Sequence, residues 1–182
     1  MARSIFCTGW WTHPSRTFTL VSALVSLLAP AGVLADELPK ESVLPLNLAG
    51  KAVQASLDAC KKDGYRVSVS VVDRAGVLRA MARTDGAGPH TVESSRKKAY
   101  TAASLRRATT ELAELMTKVP ALQALRDMNS DILMLGGGLP IEIGGDVLGG
   151  IGVGGAPGAH LDDACAQAGL DAIGAAPKVQ AK

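Results

Sequence analysis

Gly136-Gly-Gly-Leu-Pro-Ile-Glu-Ile-Gly-Gly-Asp-Val-Leu-Gly-Gly-Ile-Gly-Val-Gly-Gly-Ala156 reads as two short apolar strands. A tight Gly-Gly-Asp turn joins them and glycine loops flank them. Glycine takes positive φ where a turn demands it. It also removes side-chain bulk, so the hairpin is expected to leave room for a flat ligand or a second chain. A hairpin makes antiparallel neighbours and forces no strand–helix–strand crossover.

Working outward, Asn47 is expected to cap a helix running to Asp63, with Gly64 as its stop. Ala49, Val53, Leu57 and Cys60 share one face at helical spacing, opposite Lys51, Gln54, Asp58 and Lys61. Val67, Val69 and Val71 alternate with Ser68 and Ser70, which predicts a strand over 66–72 with one more polar face. Asp73-Arg-Ala-Gly76 turns the chain, and 77–83 returns. A loop over 84–89 leads to a helix over 91–107 with a stripe of small residues, Ser95, Ala99, Ala102 and Ala103. A second helical piece covers 110–118, and a short turn or helix starts at Pro120 and fades by Asn129. Ile132 to Leu135 reads as a further short strand. The last helix spans 160–173, with Leu161, Cys165, Ala168 and Ala172 on one face. The order predicts an α/β (α+β) domain over 46–174, with one antiparallel sheet and helices packed on it.

Residues 1–35 read as a secretory signal. Arg3 and Arg16 supply charge, Phe18 to Ala29 is an apolar run too short to span a bilayer, and small residues precede a cut before Asp36. An uncleaved anchor is the alternative. Residues 36–45 read as a mobile lead-in and 175–182 as a loose tail. The leader holds two of the 19 basic residues and none of the 17 acidic ones, so the mature chain is neutral. Its aromatics are Tyr65 and Tyr100 alone. A neutral chain with two aromatics has neither the basic footprint nor the stacking platforms of a nucleic-acid binder. Once the leader is gone, no membrane partner is expected. Cys60 and Cys165 remain in the mature chain. They allow one disulfide in an exported protein, or two buried free thiols.

Gly150-Ile-Gly-Val-Gly-Gly155 matches the dinucleotide glycine pattern. It lacks the βαβ unit and the acidic residue on a following strand, so it is not read as one. His90, in a glycine-proline loop before a helix, is the first candidate for a haem-iron or metal ligand, or a general base. His160 follows the second glycine loop. Arg96 and Lys97, in the basic run Arg96-Lys97-Lys98, are candidates for holding a carboxylate such as a haem propionate. Such a run is also what a solvated helix face looks like. Gly137, Gly138, Gly154 and Gly155 are the candidate backbone wall of the ligand site.

Six ordered segments carry a family resemblance. They are Gly64-Tyr-Arg-Val-Ser-Val-Ser-Val-Val-Asp-Arg-Ala-Gly76, Arg83-Thr-Asp-Gly-Ala-Gly-Pro-His90, Arg96-Lys-Lys-Ala-Tyr-Thr-Ala102, Gly137-Gly-Leu-Pro-Ile141, Gly149-Gly-Ile-Gly-Val-Gly-Gly-Ala156 and Asp162-Asp-Ala-Cys-Ala-Gln-Ala-Gly169. Together they resemble the GlcG/HbpS family, also called domain of unknown function 336, which includes the PduO C-terminal domain. The resemblance implies a profilin-like fold with a central antiparallel sheet of about five strands. It also implies a homo-oligomer, haem as a cofactor in some members, and a sensor kinase as partner in one.

Three readings follow. The preferred one is an exported, periplasmic or secreted, haem or tetrapyrrole-binding module without turnover of its own. The second is a small-molecule enzyme or enzyme accessory acting on a hydroxy acid, with His90 and Asp85 or Glu93 as its groups. The third is a structural or sensor-partner module.

Overall fold

A computed structural model of the chain describes Leu38 and residues 40–175. The chain divides into residues 1–39 and 40–182, and the second unit is described below. The signal read over 1–35 and the tail from residue 176 onward lie outside the described residues.

Helix α1 spans Leu46–Lys62. Asn47 does not cap it. Pro45 does so through its backbone, accepting from the Ala49 N–H at 3.1 Å. Strands β1 (Ser68–Asp73) and β2 (Leu78–Arg83) form the first hairpin. Its turn is fixed by the Asp73 carboxylate, which accepts from the Ala75 and Val77 N–H groups at 3.0 Å each. Gly76 supplies the positive φ that the turn requires, +79°. Helix α2 runs over His90–Leu105 and α3 over Thr109–Lys118, followed by a 3-10 segment, Pro120–Asp127. Strands β3 (Gly138–Ile143) and β4 (Asp146–Gly154) form the glycine hairpin, and α4 covers Ala159–Ile173.

The strands lie in the order β2-β1-β4-β3, all neighbours antiparallel. The described residues hold four strands rather than about five. Ile132–Leu135 does not pair with the sheet, because its amides are taken elsewhere. Ile132 donates to the Asn129 carbonyl and Leu133 to the Thr101 hydroxyl, at 3.0 and 2.8 Å.

Helices α1 and α4 pack together on one sheet face. Val67, Val69, Val71, Leu139, Ile141, Ile151 and Val153 meet them there and make the main core. Helix α2 lies on the other face, closest to β4. The Ser68 and Ser70 face of β1, read as polar, is buried under it. The two hydroxyls pair with those of Thr91 and Ser95 at 2.7 and 2.8 Å, so neither serine hydroxyl is stranded.

The stretch read as a mobile lead-in is docked over 41–45. Leu44 is 1% exposed and joins the main core, and Glu41 pairs with Arg74 at 3.1 Å. A leucine two residues ahead of a helix gains more from core burial than a free segment keeps in chain entropy.

Cys60 near the end of α1 and Cys165 in α4 form a disulfide, with Cα atoms 5.5 Å apart. The bridge joins residues separated by 105 positions. Replacing both by alanine is expected to cost about 3 kcal/mol. Thermal unfolding should then fall by roughly 10 °C. An unchanged melting temperature would show that the bridge adds nothing to the packing of α1 on α4.

Candidate functional site

One end of the sheet gathers the start of β1, the end of β2, the start of β3 and the end of β4. Helices α2 and α4 begin there, since each follows a strand that ends there. His90, Gly137, Gly138, Gly154, Gly155 and His160 therefore all belong to this end.

The glycines do not form an open wall. A Cβ on Gly154 would lie 2.6 Å from the Ser94 Oγ, and one on Gly138 2.5 Å from the Lys98 carbonyl oxygen. On Gly137 it would meet the Val153 carbonyl oxygen at 2.6 Å, and on Gly155 the Arg66 carbonyl oxygen at 2.5 Å. The space expected to take a ligand is filled by α2 and neighbouring backbone. The glycines serve close approach of the small-residue stripe of α2 to the sheet.

The basic run divides three ways. Lys98 is 2% exposed. Its ammonium donates to the Asp162 carboxylate at 2.8 Å and to the Val153 carbonyl at 2.9 Å. The other Asp162 oxygen accepts from the Ala156 N–H at 3.0 Å. Burial pushes the Asp162 carboxyl above its ordinary value, although Lys98 and the Ala156 amide pull the other way. Next to it Asp163 accepts from the Gly137 N–H and from the Thr110 hydroxyl. These two aspartates tie the start of α4 to α2, α3 and both glycine loops.

Arg96 does not stand ready for an outside carboxylate. It donates twice to Asp131, at 2.7 and 3.0 Å, and to Glu93 at 3.0 Å. Asp131 and then Glu93 raise its pKa, and the Arg96 hydrogen bonds lower those of both acids. Lys97 makes no ion pair among the described residues. His90, Glu93 and Lys97 recur at helical spacing and share one side of α2, away from the sheet.

His90 is exposed at the first position of α2, with its ring folded over Gly88. A Cβ there would be 2.5 Å from the His90 Cε1. The ring makes no hydrogen bond or ion pair among the described residues, with Asp85 and Glu93 included. His160 repeats the arrangement in α4, its ring against Gly158. Among the described residues no group of three His, Cys, Asp or Glu side chains is placed to hold a metal ion, so His90 is a single donor. No described helix is long and apolar enough to cross a membrane.

The same sheet end also opens, on the α1 side, into a cleft of about 440 Å³ lined by Lys61, Tyr65, Arg66, Arg83, Thr84 and Asp85, among others. Sequence reasoning passed over this cleft and over the buried Lys98–Asp162 pair. The pair left one signal. Lys98 lies three residues past Ser95 and one before Ala99, on the stripe already marked as packing.

The family described as "Haem degrading protein HbpS-like" matches residues 44–171. The double mutant of Streptomyces reticuli HbpS is similar in structure, with 41% identity and a TM-score of 0.70 over 79% of this chain and 95% of that one. A PduOC–haem complex has 26% identity and a TM-score of 0.69, covering 75% of this chain and all but 1% of its own, at 99%. GlcG of Escherichia coli is 30% identical over 61% of this chain and 81% of its own length. The order of motifs, the sheet with helices on both faces and the extent of the match agree, and the chain belongs to the HbpS-like family.

Proposed function

We propose that the protein binds haem at the sheet end that carries His90, as an exported module without turnover of its own. The observation that carries this reading is the exposed His90 imidazole, which has no hydrogen-bond or ion-pair partner among the described residues and so leaves its nitrogens available to iron. Lys97, which makes no ion pair among the described residues and lies on the same side of α2, suits a propionate. Arg96, spent on Asp131 and Glu93, keeps α2 and the segment before β3 in place instead. When bound, haem would supply an iron centre that the His90 imidazole could ligate. Family membership and the haem-bound PduOC relative support the reading. The apolar leader and the buried disulfide support export to an oxidising compartment. Leu78 and Met81, exposed on edge strand β2, support a homo-oligomer, and a sensor protein remains the proposed outside partner.

A second reading, haem breakdown, is favoured by the family description. One experiment separates the outcomes. Haemin added to mature protein should give a Soret band that saturates at one equivalent per chain. That band should survive ascorbate in air. A band bleached faster than free haemin would replace binding by breakdown, and a linear, unsaturated rise would contradict both.

A further inference from the structure

We infer that the cleft between α1 and the end of β2 binds a small carboxylate anion. Its volume, about 440 Å³, falls in the range of small-molecule sites. Three cations from separate segments line it: Lys61 on α1, Arg66 before β1 and Arg83 at the end of β2. The Lys61 and Arg66 side chains make no hydrogen bond or ion pair among the described residues. Arg83 is fixed by its Nε and Nη2 donating to the Ala87 carbonyl at 3.0 and 2.6 Å, which leaves Nη1 uncommitted. A guanidinium oriented in advance, beside a second one, matches the two oxygens of a carboxylate.

The surroundings favour this charge. The end of α1 would repel an anion if its last carbonyls pointed into the cleft. Those of Cys60 and Lys61 are instead satisfied by the Tyr65 and Gly64 amides, at 2.9 and 3.0 Å. Gly86 lets Arg66 lie across the loop, since a Cβ there would come within 3.0 Å of its Nη1. Asp58 and Asp85 flank the cations and disfavour a polyanion. Asp58 is partly engaged, accepting from Gln54 at 2.9 Å.

The carboxylate has two sources, a free small acid or a haem propionate. The inference does not depend on haem, and its test has an arm for each. Amide NMR shifts are followed on adding sodium acetate to the mature protein, against sodium chloride at equal ionic strength. Saturable shifts at Arg66, Thr84 and Asp85 are expected. The apparent affinity should fall tenfold or more in Arg66→Ala, recover in part in Arg66→Lys and stay unchanged in His90→Ala. In the second arm, haemin should bind better than its dimethyl ester to wild type, and equally well in Arg66→Ala, if the carboxylate is a propionate. Arg66 is exposed, so an unchanged melting temperature checks that its variants fold. Shifts no larger than those from chloride, with haemin and ester bound alike, would overturn the inference.

Discussion

Lys98→Met should destabilise the folded chain by about 3–5 kcal/mol at neutral pH, because it leaves the Asp162 carboxylate buried without its cation. The loss should depend on pH in a fixed direction. Burial already raises the Asp162 carboxyl above 3.8, and Lys98 is the main group opposing that rise. Removing Lys98 raises it further. A carboxyl with a folded-state pKa above its unfolded value favours the fold below the unfolded value. That contribution is lost as pH rises through the folded value. The variant should therefore lie closest to wild type in acid and fall behind as pH rises. Urea denaturation at several pH values measures this. Lys98→Met with Asp162→Leu should recover part of the loss, since it removes the stranded carboxylate but leaves the Ala156 N–H and the Val153 carbonyl without those partners. A loss that is equal at every pH would show that Asp162 is not the stranded group.

The second large effect is expected at Gly152. An alanine Cβ would sit 2.1 Å from the Ser95 carbonyl oxygen and 2.5 Å from the Ala99 nitrogen. Both are helix backbone, so no rotamer change relieves the clash. Helix α2 would have to lift from β4, weakening the Ser70–Ser95 hydroxyl pair and the reach of Lys98 to Val153. A cost of about 3 kcal/mol or more is expected. Gly50→Ala is the control. Nothing lies within 4 Å of its Cβ, and α1 should gain about 0.5–1 kcal/mol there. Similar melting temperatures for the two variants would mean that α2 does not rest on the glycines.

Periodicity and turn chemistry made the elements legible. The valine alternation, the Asp73–Gly76 turn and the apolar faces of α1 and α4 all appear where spacing puts them, within a few residues. The alternation did not reveal that both faces of β1 are covered, because serine suits either water or a hydroxyl on a packed helix. The glycine run misled for a related reason. A missing side chain signals close approach, but the sequence does not name what approaches. The stripe Ser95, Ala99, Ala102 and Ala103 was the other half of that contact. Arg96, Lys97 and Lys98 look alike in a row. Helical spacing of 100° per residue sends Arg96 to an ion-pair network, Lys97 to a half-buried position on the side away from the sheet and Lys98 into the core. Ile132–Leu135 has the composition of a strand, and the Thr101 hydroxyl on α2 diverts its backbone.

The central claim is that His90 is the haem-binding donor. Haemin titrations of wild type, His90→Ala and His160→Ala, read at the Soret band, test it most directly. Wild type and His160→Ala should give the same saturable, ligated spectrum. His90→Ala should lose that spectrum or bind at least tenfold more weakly, while its melting temperature stays unchanged. A His90→Ala titration that superimposes on wild type would contradict the account.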